Sequence, residues 1–135
     1  MNNKFTPISK IGEFELISRI LKDSSNKHKS TKKGAGDDSA VIEHFAKKDC
    51  LISTDMLAEG VHFDPAYTPL KHLGYKSIVV NISDICAMNG IATHALVSLG
   101  IPNKYSVEHI EELYSGIHTA CKNYSIDLIG GDTTS

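Results

Sequence analysis

The 135-residue chain is 41% hydrophobic and carries 14 lysines and arginines against 16 aspartates and glutamates, a net charge of −2. That length fits one globular domain able to bury roughly two thirds of its unfolded surface, and a pI near 6.4 excludes the strongly basic face of a general nucleic-acid binder. No apolar run approaches the roughly 18 residues of a membrane span, and no charged start leads into a signal segment, so the expectation is a soluble cytoplasmic protein without nucleic-acid or membrane partners.

Ile11, Phe14, Ile17, Ile20 and Leu21 fall at helical spacing, with Glu13 and Glu15 placed to complement the dipole of a helix over residues 11–22. Residues 23–36 lack apolar periodicity and hold Lys27, Lys29, Lys32 and Lys33, the pattern of a mobile loop. Its lysines either keep a solvated loop soluble or form a basic flap facing phosphates. Residues 1–36 therefore read as a helix and loop leading into a domain over 37–135. Ser39–Glu43 and Cys50–Thr54 read as strands joined at hairpin length.

Pro65 and Pro69 precede a helix predicted from Leu70 to Met88, which Asn89-Gly90 stops. Apolar residues cover nearly all its faces, which predicts deep burial, yet Ser77, Asn81 and Asp84 form one polar stripe at i, i+4 and i+7. The stripe either caps another element or points Asp84 into a metal site with Asn81 bracing it. His94–Leu99 reads as a strand. Ser106 is a good N-cap for a third helix, whose face of Ile110, Leu113, Ile117, Ala120, Cys121 and Tyr124 packs on a sheet. Ile126–Ile129 is a last strand, delivering Gly130-Gly131-Asp132 at its carboxyl end. The predicted class is α+β: a mixed four-stranded sheet covered by two helices, with an additional amino-terminal helix. Cys50, Cys86 and Cys121 are odd in number and lack Cys-x-x-Cys spacing, so they read as reduced core residues.

Asp38, Asp55, Asp84 and Asp132 each lie where apolar or small residues give way to polar chain. Gathered, such carboxylates repel by roughly 4 kcal/mol per pair at about 4 Å, so one acidic cluster implies cations, and oxygen ligands suit Mg²⁺ beside substrate phosphates. Singly, each Asp could instead cap a helix or turn. Gly74-Tyr75-Lys76-Ser77 lacks the order of a P-loop, and there is no Gly-x-Gly-x-x-Gly. Any nucleotide would be bound through metal ions rather than a standard glycine cradle.

Gly36-Asp37-Asp38-Ser39-Ala40, the string Ser53-Thr54-Asp55-Met56-Leu57-Ala58-Glu59-Gly60-Val61-His62-Phe63, Asn81-Ile82-Ser83-Asp84-Ile85-Cys86-Ala87-Met88 and Gly130-Gly131-Asp132-Thr133-Thr134 closely resemble the thiamine-monophosphate kinase family. Order and spacing match over about 100 residues, and the string from Thr54-Asp55 to His62-Phe63 singles out this branch of the superfamily named for aminoimidazole ribonucleotide synthetase. The resemblance implies transfer of the γ-phosphoryl group of ATP to thiamine monophosphate, without a protein nucleophile. It makes Asp38, Ser53, Thr54, Asp55, Asp84 and Asp132 magnesium ligands, Gly131, Asp132 and Tyr114 ATP contacts, and His62 a contact to the substrate phosphate. From the residues alone, His62 is equally a core or turn histidine and Tyr114 part of a packed helix face; Glu59 is left outside the site. The family also implies a homodimer whose sheets pair into a barrel-like core, and a second domain after Thr134, so the chain alone is expected to bind Mg²⁺ and ATP weakly with little turnover. Another ATP-using synthetase of the superfamily, or a non-catalytic nucleotide-binding dimerisation module, are the alternatives.

Overall fold

The computed structural model describes residues 14, 15, 18, 28–34, 38–44 and 48–134. Of the helix expected over 11–22, Phe14, Glu15 and Ser18 have helical backbone and the rest lies outside the described residues, as does the expected boundary at 36/37. Phe14 is 88% exposed. Two compact units divide the chain, residues 1–51 and 52–135.

In the first unit β1 (Thr31–Lys33), β2 (Ala40–Glu43) and β3 (Asp49–Ile52) form a three-stranded sheet in that order. Thr31 stands opposite Ile42 and Lys33 opposite Val41 in the antiparallel β1–β2 pair, with a register irregularity between them. Lys32 donates to Asp49 at 2.5 Å, and His44 N donates to Lys48 O at 2.9 Å to close the β2–β3 turn. The tract expected to be all loop thus contains a strand. Thr31–Lys33 has one β-branched residue and two lysines, so its strand character comes from pairing with β2 rather than from local pattern.

The second unit holds α1 (Leu70–Ala87), β4 (His94–Gly100), α2 (Val107–Tyr124) and β5 (Asp127–Thr134). Pro69 precedes α1, and Asn89, at φ 57°, ends it while the amides of Met88, Asn89 and Gly90 bond back to Asp84, Cys86 and Ile85 carbonyls. Ser106 caps α2 in a capping box with His109, and Ser125 ends it in the left-handed region. Hydrogen bonding from Ser106 holds the Glu108 carboxyl below its ordinary range, assisted by the α2 backbone. β4 and β5 run parallel, which requires a crossover, and α2 is that crossover.

Leu73 and Ile78 of α1, Leu113, Ile117, Ala120 and Cys121 of α2, and Ile126 form the buried core, with Ala95, Val97, Leu99 and Leu128 packed against it from the sheet. The helices meet through reciprocal glycines: a Cβ on Gly74 would lie 1.9 Å from Leu113 O, and one on Gly116 1.8 Å from Lys71 O. The single four-stranded sheet is corrected: among the described residues the strands form a three-stranded and a two-stranded sheet. The 17-residue connection from β3 to α1 separates the two pairings in the chain, and strand pairing over such distances leaves no local sequence signal. The deep burial expected of α1 is corrected too, since only Leu73, Gly74 and Ile78 are buried along it. The helix has one packed side, against α2, and its remaining apolar residues are half-buried or exposed. Of the three free cysteines only Cys121 is buried, which pushes its thiol up, while Cys86 is exposed. Among the described residues no helix is long and apolar enough to cross a membrane.

Candidate functional site

The polar stripe of α1 organises the segment that follows β3. Ser77 Oγ donates to Gly74 O at 2.8 Å, and Asn81 Nδ2 donates to Ser77 O at 3.0 Å, which fixes the Asn81 amide along the helix. Its free oxygen, Asn81 Oδ1, accepts the Asp55 backbone N–H at 2.9 Å. One turn further on, Asp84 Oδ2 accepts Ser53 Oγ at 2.6 Å, a short bond of the charge-assisted kind. One side chain and one backbone amide, two residues apart in the loop, are thereby seated on two stripe positions of the helix. Asp84 and Ser53 are half-buried, whereas Thr54 and Asp55 are exposed. The Ser53, Asp55, Asn81 and Asp84 set is oxygen-rich and lacks thiolate or imidazole, a donor chemistry that fits Mg²⁺ rather than zinc.

The other expected site residues lie on other elements. Asp38 lies in the bend before β2, in the first unit. Asp132 lies within β5 opposite Ser98 of β4. β5 runs on through Gly130, Gly131 and Asp132 to Thr134, so the glycines sit inside the strand rather than at its end, a correction to the expected boundary. The register explains how: Ala95 pairs with Leu128 and Val97 with Gly131, so Ile129 and Gly130 together face Leu96 in a bulge. Gly131 has φ 152°, and a Cβ there would come within 1.8 Å of Val97 O. Only glycine fits this approach, which sets the direction of Asp132. Among the described residues no three His, Cys, Asp or Glu side chains are grouped closely enough to hold a metal ion.

His62 lies in a turn, exposed, where its Nδ1 accepts the Ala58 backbone N–H at 3.0 Å. The Nε2 edge is left to carry a proton or meet a ligand. Tyr114 is half-buried, packs against the core, and lines a shallow apolar cavity of about 310 Å³ with Ile101, Val107, Ile110 and Glu111. Sequence reasoning leaves Glu59 outside the site and does not single out Lys104 or Tyr105, yet Glu59 meets Lys104 and Tyr105 across 45 and 46 positions; no local pattern marks such a contact.

Residues 36–135 match the family described as AIR synthase related protein, N-terminal domain. The chain is 41% identical over 123 residues to the thiamine-monophosphate kinase of Bacillus subtilis, an alignment that spans 91% of this chain and 38% of that protein. It is 39% identical over 125 residues to the thiamine-monophosphate kinase of Aquifex aeolicus, again over 38% of the relative. Its fold is similar to that of AaThiL complexed with AMPPCP and TMP, with a TM-score of 0.82 and 36% identity over 98% of this chain and 40% of that one. A crystal structure of thiamine monophosphate kinase from Aquifex aeolicus gives a TM-score of 0.70 at 32% identity. The chain thus spans about two fifths of the length of these relatives.

Proposed function

We propose that this chain, which belongs to the AIR synthase related protein family through that family's N-terminal domain, is the ATP- and Mg²⁺-binding, dimerising part of a cytoplasmic thiamine-monophosphate kinase. The reaction is transfer of the γ-phosphoryl group of ATP to the phosphate of thiamine monophosphate, giving thiamine diphosphate. The names of the relatives and the AMPPCP and TMP of a similar structure support it. The observation that carries it in this chain is the seating of Ser53 and Asp55 on Asp84 and Asn81, which joins two of the four segments that carry the kinase motif.

Asp38, Ser53, Thr54, Asp55, Asp84 and Asp132 would hold Mg²⁺, which supplies charge neutralisation between two phosphates that otherwise repel. The role of the chain is then positional. Asn81 holds the Asp55 backbone, Ser53 orients one oxygen of Asp84, and the close approach at Gly131 aims Asp132 from β5. Gly131, Asp132 and Tyr114 contact ATP, and His62, its Nδ1 committed to Ala58, presents Nε2 to the acceptor phosphate. In-line phosphoryl transfer needs alignment and electrostatics more than covalent help, so no protein nucleophile is assigned.

Isothermal titration of the chain with a non-hydrolysable ATP analogue tests the metal route: affinity should appear with Mg²⁺ and fall by at least about tenfold without it, the smallest loss expected when a metal's hold on its ligand is broken. Equal affinity in EDTA would overturn it. The homodimer is part of the same proposal. Leu96 of β4 and Ile129 of β5, 69% and 59% exposed, support it as apolar residues on a two-stranded sheet, a type that rarely stands alone. Sedimentation velocity at micromolar concentration should find a dimer, and monomer alone would remove this element.

A further inference from the structure

The turn that carries His62 is tightly hydrogen-bonded within itself. His62 N donates to Ala58 O at 2.8 Å, Gly60 N donates to Phe63 O at 2.8 Å, and Ala58 N donates back to His62 Nδ1 at 3.0 Å. These bonds shape the turn but do not fix it to the rest of the unit. Phe63 at its end packs against the core. Of the polar attachments among the described residues, one is weak: Lys76 Nζ of α1 reaches His62 O at 3.4 Å. The other runs through Glu59, whose two carboxylate oxygens have separate donors. Lys104 Nζ donates to Oε1 and Tyr105 OH donates to Oε2 at 3.4 Å, while Lys104 Nζ also stands 5.2 Å from the centre of the Tyr105 ring. Hydrogen bonding to Glu59 raises the Lys104 ammonium above its ordinary value.

Lys104 and Tyr105 are themselves held. They lie in the connection between β4 and α2, where Ile101 N donates to Thr134 O at the end of β5 and Tyr105 N donates to Pro102 O. The Tyr105 ring packs edge-on against His109, whose Nδ1 accepts the Ser106 N–H in the α2 capping box. The carboxylate of Glu59 therefore joins an exposed turn to a connection fixed at both ends, one of them the strand that contains Asp132.

We propose that Glu59 is a positioning residue, a latch that holds the 58–63 turn to the β4–α2 connection through Lys104 and Tyr105 and so sets the orientation of the His62 ring. Its value to phosphoryl transfer rests on the role proposed for His62: the latch fixes the acceptor-side turn relative to β5, the ATP-side strand. An exposed ion pair of this kind contributes little to global stability, so its effect is local.

The test is amide hydrogen exchange and ring ¹⁵N NMR on the labelled chain. Glu59→Gln and Lys104→Met should each speed exchange of the Gly60 and His62 amides by about two- to fivefold, the range a pair of this exposure supports. The Ile117 amide in the core should be unaffected. The His62 ring should lose its dominant tautomer with Nδ1 accepting and Nε2 protonated. The reversed pair, Glu59→Lys with Lys104→Glu, should restore both protection and tautomer, which a general loosening of the fold would not do. Unchanged exchange in both single variants, or a reversed pair as loose as the singles, would overturn the latch. If the unsubstituted chain bound no ATP analogue in the presence of Mg²⁺, the kinase reading would fall while these exchange results still decided the latch.

Discussion

Gly116→Ala should lower the melting temperature of the chain by about 10 °C or more, and Gly74→Ala should do nearly as much. On an isolated helix the same change is favourable, since alanine stabilises a helix interior by about 1 kcal/mol over glycine. Packing reverses the sign. The new methyl on residue 116 would lie 1.8 Å from Lys71 O and 2.9 Å from Tyr75 N, and that on residue 74 would lie 1.9 Å from Leu113 O. Every one of these atoms belongs to helix backbone, so no side chain can rotate away and the helices themselves must separate. Separation opens the contacts of Leu73, Ile78, Leu113 and Ile117, most of the buried core. Overpacking typically costs about 1–3 kcal/mol and sometimes more; a backbone clash at the centre of the α1–α2 contact belongs at the upper end. With about 4 °C lost per kcal/mol in a domain of this size, the expected shift follows. Gly100→Ala is the control, because a Cβ there meets nothing within 4 Å. Thermal melts in which Gly116→Ala and Gly100→Ala behave alike would refute the interlock.

The sequence made local features legible. Ser106 followed by a stripe at 110, 113, 117, 120 and 121 marks α2 because capping and amphipathic spacing are both written within a few turns. Pro69 and Asn89-Gly90 bracket α1 for the same reason. The stripe at 77, 81 and 84 is readable as a polar line on the helix, and its partners at 81 and 84 are the Asp55 amide and Ser53. What stayed illegible depends on partners distant in the chain. The apolar surface of α1 could not reveal that only one side meets α2. Gly74 carries no sign that it faces the backbone of Leu113, 39 positions away. Glycines at 130 and 131 weaken a strand intrinsically, yet pairing with β4 carries β5 through them, with a bulge taking up the extra residue. Thr31–Lys33 looked like loop because its strand character comes from β2.

Asp84→Asn is expected to separate folding from binding. The substitution keeps the shape of the side chain and retains an oxygen that can accept the Ser53 hydroxyl, now bonded at 2.6 Å, so the seating of the 53–55 segment should survive. It removes one negative charge from a half-buried position on the same helix face as Asn81, which holds Asp55. Without metal the substitution keeps the Ser53 contact and changes no packing, so the variant should melt within about 2 °C of the parent. With Mg²⁺ the lost charge counts. A cation offset by one fewer carboxylate is held less firmly, and even partners one shell removed from a metal typically change affinity by about 10–100-fold when altered. The affinity for an ATP analogue in Mg²⁺ should therefore fall by at least about tenfold, while the weak affinity in EDTA stays where it was. Ser53→Ala tests the same site from the other side. It leaves the charge and removes the hydroxyl that orients it, so it should weaken Mg²⁺-dependent binding by less than Asp84→Asn does. Full Mg²⁺-dependent binding by Asp84→Asn, in a chain whose melt is unchanged, would mean that the stripe only docks a loop, and the metal would have to be sought elsewhere.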